Sequence, residues 1–336
     1  MAKKIDVTMD DIARLAGVSK PTVSRVLSNH PNVSAKTRKK VLSVTSAKGY
    51  SINRHAQRLR AKQSNAIAVI LDFPSYGGAG VSDPFILDLL SGVNHALIKS
   101  GKDLLLTSPP ENDSLAYYQT LSSSKGADGL IFLGRGLREE LLNELSHTDI
   151  PFVVWGSKID ESPFCCIGSD GFVGGVKAGE YLINKGRRNI LFVGDTRHKE
   201  IYARRAGLQH AVNESPYDIV VRDLAASNFD DERTFQAALT LTQSDNCPDA
   251  LFAFSDTAAM AFMSAFRISG RSAPQDFNVV GYNNIRLAQY FYPPITTIEQ
   301  DTELAGKFLV QALEQIIDGK RPPPIKLETN LIDRGS

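Results

Sequence analysis

The sequence predicts an α/β protein in which a small basic unit of three short helices precedes a larger body with two doubly wound parallel sheets. Three observations carry this. The 336 residues exceed the usual length of one domain. Charge is divided, with 14 Lys and Arg against 3 Asp and Glu in residues 1–62, and 24 against 34 in the remainder. The hydrophobic pattern also changes near residue 65, from short capped helices to aliphatic runs alternating with amphipathic stretches.

The first unit reads helix by helix. Thr8 is an N-cap, and Asp11 three places on can return its hydrogen bond. Ile12, Ala13, Leu15 and Ala16 form a short apolar face, and Gly17 stops the helix where a left-handed residue is cheapest. Ser19 caps a second helix, and Pro21 fits its first turn because a missing N–H costs nothing there. Val23, Val26 and Leu27 are the buried side of that helix. Ser34 caps a third, with Val41, Leu42 and Val44 inward and Gly49 as its stop. This is a helix-turn-helix with a supporting helix. A +11 charge on so small a unit points to duplex DNA. Lys20, Thr22, Ser24 and Arg25 are placed to reach base edges or phosphates, and Arg25 suits guanine. Lys36, Arg38, Lys39 and Lys40 suit phosphate or solvent.

The body begins at Asn65. "AIAVILDF", "DLLLTS", "DGLIFLG", "PFVVWG", "NILFVGD", "DIVVRDL", "DALFAFS" and "NVVGYN" read as strands. Stretches such as "FILDLLSGVNHALIKSG", "GGVKAGEYLINKG" and "TAAMAFMSAFRISG" read as the helices between them. Continuous apolar strands alternating with helices mean parallel sheets covered on both faces. The surroundings of Pro163, "YPPITT" and "RPPPIK" are expected to cross between two halves. A ligand would then sit at the carboxyl ends of the strands.

Other classes find little support. No window approaches 18 uninterrupted apolar residues, and "MAKKIDVTMDDIA" carries no apolar run after its lysines, so a cytoplasmic protein is expected. Cys165, Cys166 and Cys247 form no CxxC pair, and reduced thiols are expected. GxGxxG after the first strand, GxxxxGK[ST], GxSxG and HExxH are all missing, so neither an enzyme nor a cofactor is expected.

The stretches "VTMDDIARLAGVSKPTVSRVL", "VSAKTRKKV" and "GYSINRHAQRLR" resemble the head of LacI/GalR-family transcription regulators, and the resemblance runs from about Val7 to the C-terminus. It implies a helix-turn-helix domain over 1–50, a hinge helix over 51–63 and an effector-binding and dimerisation domain over 64–336. It also implies a periplasmic-binding-protein-like body with lobes at 64–163 plus 294–323 and at 164–293 plus 324–336. The DNA contacts expected are Thr8, Ser19, Lys20, Pro21, Thr22, Ser24, Arg25, Ser34, Arg38 and Tyr50 in the head. Asn53, Arg54, Gln57, Leu59 and Arg60 join them in the hinge. Leu59 matches the family's minor-groove wedge, an apolar side chain that kinks the duplex.

For the effector the expected contacts are Phe85, Trp155, Arg204, Phe229, Asp256, Asn283 and Gln300. Phe85 and Trp155 are chosen as ring-stacking faces at loop ends. Arg204, Phe229, Asp256 and Gln300 match family positions. "VVGYNN" departs from the family, with Asn283 where an aspartate is usual. The resemblance implies a homodimeric repressor on near-palindromic double-stranded DNA, controlled by a small molecule. A sugar inducer is expected, with a regulator responsive to a purine or another metabolite, or an activator, of the same architecture as alternatives.

Overall fold

The computed structural model describes residues 7–27, 30–48, 50, 64–71, 83–109, 114–124, 126–134, 139–156, 162–225, 231–244 and 247–336. The chain forms two compact units, Met1–Ser64 and Asn65–Ser336.

In the first unit, α1 (Met9–Ala16) starts with a reciprocal capping box. The Asp11 N–H donates to Thr8 Oγ1 at 3.3 Å and the Thr8 N–H donates to Asp11 Oδ2 at 3.1 Å. Gly17, at φ +59°, supplies the left-handed turn into α2 (Lys20–Leu27), and Ser34 caps α3 (Ala35–Ala47). Ile12, Ala13, Ala16, Val23, Val26 and Val41 make the core, with Val44, Leu27 and Tyr50 at its margin. Two expected core residues are not in it. Leu15 is 49% exposed and Leu42 47% exposed. The buried row of α1 runs Met9, Ile12, Ala13, Ala16, and Leu15 falls on its flank. In α3 Val41 takes the core position, and its neighbour Leu42 is rotated about 100° away.

The second unit holds two six-stranded sheets. In chain order its elements are β1 (Ala66–Ile70), α4 (Pro84–Lys99), β2 (Asp103–Thr107), α5 (Leu115–Ser123), β3 (Gly129–Leu133), α6 (Glu139–Ser146), β4 (Phe152–Trp155) and β5 (Cys166–Ser169). Then come α7 (Gly171–Asn184), β6 (Asn189–Val193), α8 (Lys199–Asn213), β7 (Val220–Leu224), α9 (Asp231–Thr242), β8 (Ala250–Ala253), α10 (Asp256–Ile268) and β9 (Asn278–Asn283). A 3-10 turn at Arg286–Gln289, β10 (Thr296–Gln300), α11 (Thr302–Ile317), β11 (Ile325–Leu327) and β12 (Thr329–Ile332) complete it. The strand orders are β11-β5-β4-β3-β1-β2 and β12-β10-β9-β8-β6-β7. All pairs are parallel except β10 with β12. β1, β3, β4 and β8 are buried along their whole length, as parallel strands covered by helices must be.

The three crossings between lobes lie further along the chain than expected. β5 and β11 belong to the first sheet and β10 to the second, so residues 164–169, 294–300 and 324–327 change sides relative to the expected boundaries. The chain crosses at Asp170, Asp301 and Glu328. In each case the prolines mark the start of a strand, since Pro163, Pro294 and Pro324 precede β5, β10 and β11. Proline lacks the N–H that a ladder needs and is tolerated just before a strand. Polar caps then turn the chain at the strand's far end, where Asp170 and Asp301 accept the Val173 and Leu304 N–H groups.

One close approach fixes the second lobe. A Cβ on Gly175 would lie 2.1 Å from the Arg204 carbonyl oxygen, and one on Gly207 would lie 2.0 Å from that of Phe172. Glycine at both positions lets α7 and α8 touch backbone to backbone. No described helix is long and apolar enough to cross a membrane.

Candidate functional site

Each unit presents one candidate. On the first, α2 buries Val23 and Val26 and turns Lys20, Pro21, Ser24 and Arg25 outward, with Ser19 exposed before it. Some of these side chains have tasks inside the unit. Ser19 Oγ lies 2.9 Å from Thr22 Oγ1, and Lys20 pairs with Asp10 at 2.7 Å. Thr8 and Ser34 cap their own helices. Arg38 donates to the His30 carbonyl at 2.7 Å, and Tyr50 is half-buried against the helical core. Asn53, Arg54, Gln57, Leu59 and Arg60 lie outside the described residues.

The second unit has a cavity between its lobes, at the carboxyl ends of the strands. Asp83, Phe85, Ile86, Gly134 and Trp155 line it from the first lobe. His198, Glu200, Ile201, Arg204, Phe254, Ser255 and Asn283 line it from the second. The topology explains this set. Gly134, Trp155 and Asn283 end or follow β3, β4 and β9, whereas Phe85, Glu200 and Ser255 sit where α4, α8 and α10 begin. Phe85 and Trp155 form one apolar wall, with ring centres 6.2 Å apart and planes at 49°.

Arg204 lies opposite in chemistry. Its guanidinium stacks 3.6 Å from the centre of the Tyr282 ring, and Nη1 donates to the Phe254 carbonyl at 2.5 Å. Its Nε is buried without a hydrogen-bond partner. Asn283 and Asn284 both adopt left-handed backbone, at φ +103° and +53°. Asparagine tolerates that region better than most residues with a Cβ. Gln300 Nε2 donates to Asn283 Oδ1 at 2.6 Å, and Ser169 Oγ donates to Gln300 Oε1.

Four of the seven expected effector contacts thus line the cavity: Phe85, Trp155, Arg204 and Asn283. Asp256 and Gln300 do not, and these two assignments are corrected. Asp256 is fully buried behind the cavity, where its carboxylate accepts the Ile285 N–H at 2.8 Å and the Thr297 hydroxyl at 2.5 Å. Burial pushes its carboxyl up to about 7. Gln300 stands one bond behind Asn283. Phe229 lies outside the described residues. Sequence reasoning missed Asp83, His198, Glu200 and Ser255. A usable signal existed, since residues in the first turn of a helix that follows a cleft-facing strand end face the same cleft.

An ion pair crosses between the lobes, from Lys199 at the start of α8 to Glu139 at the start of α6. Among the described residues no His, Cys, Asp and Glu group could hold a metal ion.

Residues 8–53 match the family described as bacterial regulatory proteins, lacI family, and residues 180–336 match a periplasmic binding protein-like domain. Over 318 residues the chain is 30% identical to the HTH-type transcriptional repressor PurR of Vibrio campbellii, covering 93% of this chain and 92% of that protein. It is 31% identical over 307 residues to the HTH-type transcriptional regulator DegA of Bacillus subtilis, covering 89% and 88%. Among solved structures it resembles the lac repressor dimer bound to operator and the anti-inducer ONPF, with a TM-score of 0.84 and 25% identity over 98% of both chains. It also resembles the transcriptional regulator CelR in complex with cellobiose, with a TM-score of 0.68 and 27% identity over 98% and 99%.

Proposed function

The chain belongs to the lacI family of bacterial regulatory proteins, a family of DNA-binding transcriptional regulators, and from that premise we propose that it is a homodimeric repressor released from its operator by a sugar. The observation that carries the sugar is the cavity wall. Phe85 and Trp155 offer stacking faces for a pyranose, and Arg204 and Asn283 offer hydrogen bonds across from them. The likeness to CelR in its cellobiose complex supports the same class. A purine is the second reading, favoured by the relationship to repressors named PurR. Flat aromatic walls would also accept a base.

The cavity measures about 70 Å³. Ligand pockets commonly run to roughly 300–1,000 Å³, so taking up a sugar would require the lobes to separate. In this reading separation strains the Lys199–Glu139 pair and the Ser169–Gln300–Asn283 chain, and changes the spacing of the two hinge segments, residues 51–63, in a dimer. Operator affinity then changes by the difference in effector binding to the two lobe arrangements, about 1–3 kcal/mol on the usual scale of such coupling. Ile268, Leu287, Tyr290 and Tyr292 of the second lobe are all exposed, and such apolar surface supports pairing with a second copy.

The test is operator titration by fluorescence anisotropy, with and without a panel of sugars and purine bases. Release by a sugar supports the proposal. Tightening by a purine base would replace it with the second reading.

A further inference from the structure

On one side the cavity presents the ligand with hydrogen-bond donors, those of Arg204 and Asn283. Arg204 is only 9% exposed. Its guanidinium donates to the Phe254 carbonyl, lies against the Tyr282 ring and, among the described residues, makes no ion pair. A buried cation without a counter-charge, with one N–H left unmatched, costs free energy that a ligand can recover. Asn283 contributes a second donor. Its Oδ1 already accepts from Gln300, whose own Oε1 accepts from Ser169, and this orients the amide so that Nδ2 remains as a donor.

The backbone adds to this. α8 and α10 both begin at the cavity, and the N-terminal end of a helix carries partial positive charge. Two carboxylates also line the space, but neither forms an ion pair with Arg204. Asp83 accepts the Phe85 N–H at 2.9 Å at the head of α4, and Glu200 lies in the first turn of α8. Both are less buried than Arg204.

Resting on the effector reading above, we propose that the ligand carries an oxyanion, a carboxylate or a phosphate, seated between Arg204 and Asn283. Such a group accepts from both residues and supplies the missing counter-charge. A planar guanidinium edge matches it in geometry as well as charge. A neutral hydroxyl in the same place leaves the charge of Arg204 uncompensated. With the sugar ring against Phe85 and Trp155, the class is a sugar acid or a sugar phosphate.

Calorimetry on the full chain with matched compounds tests this: galactose and galacturonate; glucose, glucuronate and glucose 6-phosphate; and hypoxanthine. One charged member is expected to bind at least about tenfold more tightly than its neutral parent, with a preference that fades as chloride rises. Binding of the acid alone or of the phosphate alone names the group. Arg204→Gln is expected to erase the preference. Arg204→Lys, which keeps the charge and loses the planar fork, is expected to retain part of it and serves if the first variant does not fold. A neutral sugar that matches its acid, or hypoxanthine that outcompetes every charged sugar, overturns the oxyanion and leaves a small-molecule effector standing. Silence from the whole panel overturns both.

Discussion

Arg25 and Lys39 are both exposed cations of the first unit, yet they sit on helices with different tasks. Arg25 belongs to α2, the second helix of the helix-turn-helix, and that helix generally enters the major groove, so Arg25→Ala is expected to relax sequence discrimination at one base pair at a cost of about 1–3 kcal/mol. Lys39, on the supporting α3, should touch phosphate only. Lys39→Ala is expected to weaken binding to all DNA alike and to lower the salt slope by about one. Gel-shift titrations on operator and random DNA across a salt series check both. Asp256 gives a prediction in pH. Its carboxyl stays protonated in the folded protein up to about pH 7, whereas an ordinary aspartate ionises near 3.8. The folded state therefore binds more protons between these values, and stability falls as pH rises from about 4 to about 7, by a few kcal/mol at most. Asp256→Asn should remove that slope. Melting temperatures of the two proteins from pH 4 to 8 are expected to converge at the acid end and separate towards neutrality. The sequence marked Asp256 as a cleft residue because residue type and position matched the family. Which way a carboxylate points from a strand end is set by its neighbours, here Thr297 and Ile285, and these are distant in the chain.

At the scale of elements, caps and glycines were legible before any coordinates. The capping box at Thr8 and Asp11, the left-handed Gly17 and the Ser34 cap all stand where local chemistry put them. Thr8→Ala is expected to cost the first unit about 1 kcal/mol, read by thermal unfolding. Gly175 makes a stronger demand. A methyl group there would enter the Arg204 carbonyl 2.1 Å away, and backbone cannot rotate aside as a side chain does. Gly175→Ala is expected to destabilise the protein by about 1–3 kcal/mol through overpacking. By shifting α8 it should also weaken effector binding, while operator binding without effector holds. Urea unfolding and calorimetry measure the two effects. Strand ends were less legible. Proline was read as the place where the chain leaves a lobe, but each proline opens one more strand first, because a missing N–H excludes it from the ladder without sending the chain elsewhere.

For the whole molecule the contacts that span the lobes matter most, and one of them is the pair of Lys199 with Glu139. Lys199 and Glu139 are each more than a third exposed, so their pair contributes only about 0.2–1 kcal/mol. That is nevertheless enough to shift a balanced equilibrium between lobe arrangements. If the effector needs wider lobes, Glu139→Gln is expected to raise effector affinity by up to about fivefold, and the exchange of Glu139→Lys with Lys199→Glu should return it to the starting value. Effector titrations at low and high salt check this, and the effect should shrink as salt rises. At this scale the amino-acid sequence by itself determined three things: a basic helical head, an α/β body of two parallel sheets, and the chemistry of four cavity residues. The first two follow from short-range patterns of charge, capping and hydrophobic period, which act within a few residues of chain. Of the four cavity residues, Phe85 and Trp155 were chosen as ring faces at loop ends, and Arg204 and Asn283 through the family resemblance. Only the tertiary structure decided where the chain changes lobes, that Asp256 and Gln300 stand behind the cavity, and that Arg204 is buried with an N–H unmatched. Each of these depends on which distant segments meet, and pairing partners such as Thr297 for Asp256 or Phe254 for Arg204 are chosen by the packing of the whole sheet and its helices.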